Sequence, residues 1–206
     1  MNPYYAKFRK RENVLTRELT RIYFKPVDPV ESDNECIGVV IAKNPGAAIY
    51  KQLNVWTEIN LDNDNMLPIL FNTFNETISK INYQPPKNAY IRILNLFPVC
   101  NVDVDIAYKD LLKISDNIII EDAESDLKVS RFIFIAWGNE PYLDPFRTKW
   151  IEILKPYSEK SFYFSYETNE RYKYYPEDGV PLCGMNVKHP ILLTKNLIID
   201  KILKYF

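Results

Sequence analysis

The sequence predicts an α/β protein, a three-layer α/β/α sandwich with a central, mainly parallel four-stranded sheet. Two observations carry this. Short apolar, β-branched runs alternate along the chain with segments of helical periodicity, which implies parallel strands joined by crossovers. At 206 residues, 47% hydrophobic and 26% charged, the chain suits one sizeable domain, residues 1–206. With 5 Gly against 14 Pro, its turns rely on Pro, Asn and Asp.

Residues 1–26 are rich in base, including Lys7, Arg9, Lys10, Arg11, Arg17, Arg21 and Lys25. They read as a basic arm or helix beside the core, or as a phosphate-contacting edge. "ECIGVVIAKNPGAAIY" opens with the first strand, 37–41, running into a Pro45-Gly46 turn. Across 66–82, Leu67, Leu70, Phe71, Phe74, Ile78 and Ile81 recur at helical spacing, and "QPP" at 84–86 breaks the chain. "AYIRILNLFPV" is a second strand ending at Asn95, and helices are expected around 104–114 and 121–129. "SRFIFIAWGNEPY" holds a third strand, 131–137. In "DPFRTKWIEILKPY" Asp144 is the expected N-cap of a helix and Pro145 its first residue. "KSFYFSYET" is the fourth strand, and "TKNLIIDKILKYF" a final amphipathic helix.

Several functions are disfavoured at the outset. A formal net charge of −1 argues against non-specific coating of nucleic acid, though not against a local basic face. Cys36, Cys100 and Cys183 are widely spaced, with no C-x-x-C, which suggests neither a disulfide framework nor a zinc motif and fits a reduced setting. The start "MNPYYAKFRKREN" has no apolar signal-peptide core, and no apolar run approaches the roughly 20 residues a bilayer demands. A cytoplasmic monomer without metal or cofactor is the expectation. Neither G-x-x-x-x-G-K-[ST], G-x-G-x-x-G nor a G-x-S-x-G elbow occurs. The acidic stretches "DNDN" (62–65) and "EDAESD" (121–126) read as solvated loops or helix starts.

In parallel sheets ligands bind beyond the carboxyl ends of the strands. Asn44-Pro45-Gly46, Asn95 and Trp137-Gly138 fall at those ends, and the loop of His189, the only histidine, follows the fourth strand. "AKNPGAA", "RILNLFPV", "FIAWGNEP" and "LCGMNVKHPILL", with Leu15-Thr16-Arg17 ahead of them, resemble in order and spacing the bacterial and phage family called domain of unknown function 1643. That resemblance spans most of the chain and names no activity. More distantly, the same four stretches look like the motif set of the uracil-DNA glycosylase superfamily. That set comprises a water-activating loop after one strand, a base-reading Asn after another, a "LLWG"-like strand and a late His-Pro loop.

The superfamily resemblance implies a uracil-DNA glycosylase-like fold and hydrolysis of the N-glycosidic bond of a damaged or modified base. It also implies roles for particular residues. Asn44 would orient water, Asn95 would read the base and His189 would assist the departing base. Pro45, Gly46, Phe97, Trp137, Gly138 and Pro190 would shape the base pocket. The chemistry suits these residue types. Breaking the bond leaves an oxocarbenium-like sugar and an anionic base, so donors belong where negative charge appears. A neutral imidazole can donate, and Pro190 biases His189 to an extended backbone. Asn44 can orient a water but cannot take its proton. The superfamily's loop is either Gly-x-Asp-Pro or Asn-Pro-Gly, and only where Asp stands at that place is a base or charge stabiliser available.

Each residue also has a plainer reading. Asn95 can end a strand, Asn44-Pro45-Gly46 is an ordinary turn, and His189 can be structural. Trp137 suits core or rim packing as well as stacking on a base. If the substrate is DNA, Arg9, Lys10, Arg11 and Lys188 would contact phosphates, with Arg171 and Lys173 also flanking the rim, and Ile191 and Leu192 would wedge into the duplex. Phe97, Tyr50 or Trp137 would stack on the extracted base. Two alternatives stand beside a DNA glycosylase: a catalytically silent module binding a nucleotide or nucleic acid, and a free-nucleoside hydrolase.

Overall fold

The computed structural model describes residues 3–206 except 26, 28–33, 47–50, 62–63, 115–122, 167–173, 183–184, 186 and 190–192. The basic N-terminal region is neither an arm nor a helix. It is a β-hairpin of β1 (Tyr4–Arg11) and β2 (Val14–Tyr23). Glu12 and Asn13 turn the chain at φ 48° and 69°, the double left-handed geometry that matches strand twist in tight hairpins. The inward residues of β1 are Ala6 and Phe8, so its true period is two despite the density of charge.

One irregularity in this hairpin matters later. Tyr5 opposes Arg21, but Lys7 opposes Glu18, so β2 carries one extra residue, with Leu19 at φ 56°. Such a bulge reverses which side chains face which side. Arg17 thereby opposes Phe8 and shares its buried face. Glu18 stays on the other face, where it accepts from Arg11 at 2.9 Å and pairs with Arg9 at 3.3 Å.

Among the described residues the sheet has eight strands, not four, in the order β4-β1-β2-β5-β3-β6-β7-β8. The four expected strands are its mutually parallel middle: β3 (Glu35–Ala42), β5 (Ala89–Asn95), β6 (Phe132–Ile135) and β7 (Ser161–Tyr166). The hairpin and β4 (Trp56–Glu58) extend it antiparallel on one side, and β8 (Tyr174–Asp178) on the other. The sheet is therefore mixed, with four antiparallel pairings to three parallel. β8 also separates the fourth expected strand from the His189 loop.

Helices cover both faces. α1 (Met66–Lys80) and α5 (Lys195–Ile202) bury Leu67, Leu70, Phe74, Ile198 and Ile202 against Val40, Ile93, Phe134 and Phe162. α2 (Val104–Leu111), α3 (Glu124–Val129) and α4 (Asp144–Leu154) bury Leu111, Leu127, Phe146 and Trp150 against Val39, Leu94 and Ile135. Asp144 does not cap α4. It is already helical, Leu143 stands at the cap, and the Asp144 carboxylate accepts instead from Arg147 Nη1 at 2.6 Å. No helix among the described residues is long and apolar enough to cross a membrane.

Gly38 lets β3 pack closely on a ring of β6. It stands in register with Phe132, and a Cβ at Gly38 would lie 2.3–2.7 Å from three atoms of that ring. Gly38→Ala should therefore cost about 1–3 kcal/mol, as overpacked cores do. Urea unfolding should show a lower midpoint at unchanged slope, and Phe132→Leu should restore part of the loss.

Candidate active site

The carboxyl ends of the parallel strands carry the site. Past β3, Leu96 N–H donates to the carbonyls of both Ala42 and Lys43 at 3.0 Å, which ties residue 43 to the end of β5. Past β7, Lys188 N–H donates to Phe164 O at 2.9 Å and Val187 bridges Ser165, so His189 is held beside that strand end. Between these anchors lies a cavity of about 260 Å³. Lys43, Asn44 and Gly46 line it from the β3 loop, and Asp64, Asn65 and Met66 from the start of α1. Asn101, Val102 and Val104 line it from the approach to α2, and His189 from its loop.

Asn44 braces the wall. Its Nδ2 donates to Asn101 O at 2.8 Å and to Pro45 O at 3.1 Å, and Asn101 N–H donates back to Pro45 O at 3.2 Å. With the amide nitrogen committed, the Oδ1 acceptor has no partner among the described residues. Pro45 is buried behind the wall, while Gly46 faces open space.

His189 is half-buried, and its imidazole makes no hydrogen bond among the described residues. Burial first, and the Lys43 charge second, push its pKa down to about 4, against the opposing pull of Glu140 and Asp64. The ring is thus neutral at physiological pH, with one nitrogen able to donate and the other to accept.

Asp64 was invisible as a site residue in "DNDN". It starts a helix, as expected, but it is buried rather than solvated. Its Oδ1 caps α1 by accepting from Met66 N–H at 3.0 Å and Leu67 N–H at 3.2 Å, while Asn65 makes no cap bond. Its Oδ2 lies 3.4 Å from Arg17 Nη1, and Arg17 is 0% exposed. This pair exists because the β2 bulge turns Arg17 towards α1.

Lys43, also missed, forms an ion pair with Glu140. Gly138 makes the room: at φ +76° it sits where a Cβ would meet Glu140 Oε2 at 2.9 Å and Lys43 Cε at 3.1 Å. Gly138 therefore serves the ion pair rather than forming cavity wall. Both missed partners flank motif residues, Lys43 beside Asn44 and Glu140 two beyond Gly138, and Arg17 ends the Leu15-Thr16-Arg17 stretch.

Other expected site residues fall elsewhere. Phe97 is core, packed on Phe146 at 5.6 Å, and Trp137 is 1% exposed in the same core, so neither lines the cavity or offers a stacking face. Asn95 is also off the wall. It is buried beside Ala42, with neither amide atom hydrogen-bonded among the described residues. Arg9 and Arg11 sit near the hairpin tip, at the cavity end of the sheet, but both are engaged by Glu18. Arg21 stacks on Trp56 and Tyr90 at 4.7 and 4.2 Å. Lys10 is exposed and Lys188 half-buried. Tyr50, Arg171, Lys173, Pro190, Ile191, Leu192 and Cys183 lie outside the described residues. Among the described residues no group of three His, Cys, Asp or Glu side chains could hold a metal.

The fold and this cavity define a mixed α/β protein with a small cavity, lined largely by polar and charged residues, at the carboxyl ends of its parallel strands. No family model, curated protein or solved structure matches the chain.

Proposed function

We propose that the chain is a DNA glycosylase-like hydrolase that cleaves the N-glycosidic bond of a base held in this cavity. One observation carries the reading: the Asn44 loop, the Asp64 cap and the His189 loop, far apart in sequence, line the same cavity, with the imidazole uncharged. In the reaction the bond between sugar C1′ and the base nitrogen breaks with its electron pair leaving on the base. His189 N–H donates to a base carbonyl oxygen as charge gathers there. Asn44 Oδ1 orients the water that adds to C1′, and that water's proton ends on the departed base. Asp64 is the one carboxylate among the described lining residues. Held by Arg17 and two backbone N–H groups, it acts as a fixed negative charge opposite the cationic sugar, a task Asn44 cannot perform.

The alternative of a free-nucleoside hydrolase draws support from the charges of the lip. Arg9 and Arg11 are already paired with Glu18, and Asp103 and Asp105 are exposed beside Val102. An unpaired basic track for a phosphate backbone is not evident in these side chains.

The test offers oligonucleotides carrying uracil, hydroxymethylated or glucosylated bases, and the matching free nucleosides, and measures free base by chromatography. Base release from the oligonucleotides is the expected result. Release from nucleosides alone would select the second reading. Binding without release would mark a silent module and reject hydrolysis.

A further inference from the structure

We propose that Lys43 makes the cavity selective for a heterocycle that is, or departs as, an anion. This deepens the base-binding reading and rests on it. Among the described lining residues two carry full charges, Lys43 and Asp64, and their surroundings differ. Asp64 already has its opposite charge, in Arg17 on one oxygen, and its other oxygen accepts from two backbone N–H groups. Lys43 is less fully engaged. An ammonium has three donors, and one hydrogen bond, to Glu140, is formed among the described residues.

Glu140 is itself shared. Its Oε2 lies 3.9 Å from Arg147 Nη2, and the Arg147 side chain is 3% exposed. Glu140 does not line the cavity, whereas Lys43 does, close enough to His189 for its charge to act on that ring. The pair is built in, because Gly138 with its positive φ is the residue that leaves it space. His189 adds an uncharged donor on the same cavity. An occupant bearing negative charge on carbonyl oxygens satisfies both donors, whereas a neutral ring leaves the ammonium partly unpaired in a half-buried site.

The experiment titrates the full chain at pH 7 with barbiturate, a pyrimidine trione that is a monoanion there, and with uracil, its neutral counterpart of similar shape. Binding is followed through the ring C–H resonances of His189, the sole histidine. The anion should bind about tenfold tighter or more. Lys43→Arg should keep that preference. Lys43→Met should reduce it to about threefold or less, and so should Lys43→Met with Glu140→Gln, which leaves no unpaired carboxylate to disturb folding. The acid titration of His189 should also move to higher pH in Lys43→Met. Preference for the anion persisting in both neutral variants would overturn the proposal, as would equal binding of the two heterocycles to the wild type, which leaves the base-binding reading intact. If neither heterocycle binds, the base-binding reading falls and the inference with it.

Discussion

Asp64→Ala is expected to lower folding stability by about 3–5 kcal/mol, because it strands a fully buried cation. Arg17 is 0% exposed, and its Nε and Nη2 have no hydrogen-bond partner among the described residues. Its one opposite charge among the described residues is Asp64 Oδ2 at 3.4 Å. The same substitution uncaps α1, whose Met66 and Leu67 N–H groups both point at Asp64 Oδ1. Replacing the pair with a neutral one should do far less harm, since buried ion pairs exchanged for packed neutral groups often cost little. Arg17→Met with Asp64→Asn should therefore retain most of the stability, the Asn oxygen still accepting from the helix start. Urea unfolding of wild type, single and double variants forms a double-mutant cycle. Additive losses in that cycle would show that the two charges do not support each other. If the double variant folds yet releases no base, Asp64 serves the chemistry as well as the fold.

His189→Ala should reduce base release by about 10²–10³-fold, the usual loss when one donor to a developing anion is removed. The imidazole has no hydrogen bond among the described residues to surrender, so the fall should come without a matching loss of fold. Because the pKa of the ring is held down to about 4, activity that depends on its neutral form should stay flat from neutral pH down to about 5 and decline below that. A rate that instead halves near pH 6.5 would mean the ring titrates like a solvated histidine, and the buried neutral donor would be wrong.

The same ring ties stability to pH. The unfolded chain takes up the proton near 6.5 and the folded chain only near 4. Stability is therefore full above about 6.5 and falls as pH drops towards 4, by up to about 3 kcal/mol. His189→Gln should flatten that part of the curve.

The readable portion of this fold is its doubly covered centre. β3, β5 and β6 are buried on both faces, so their β-branched and aromatic runs are nearly continuous, and α1 shows its inward stripe every three or four residues. The flanking strands have no such signature. In β1, Lys7, Arg9 and Arg11 take the outward positions, and the exposed Lys10 continues the face of Ala6 and Phe8, which masks the period of two. β4 and β8 are short edge strands of 3 and 5 residues, whose place depends on partners elsewhere in the chain.

The site divides the same way. Asn44 and His189 could be named in advance because each sits in a short distinctive stretch before a proline. Lys43, Asp64 and Arg17 could not, because their meaning comes from partners 97 and 47 residues away. The chain by itself determined an α/β protein with four parallel strands and two polar loops at their ends, because local periodicity and turn chemistry act over a few residues. Tertiary structure alone decided that a bulge at Leu19 turns Arg17 inward, that Arg17 then anchors Asp64, and that Gly138 admits the Lys43–Glu140 pair. Those choices depend on which buried charges can be matched across the sheet, a long-range condition that no single stretch of sequence carries.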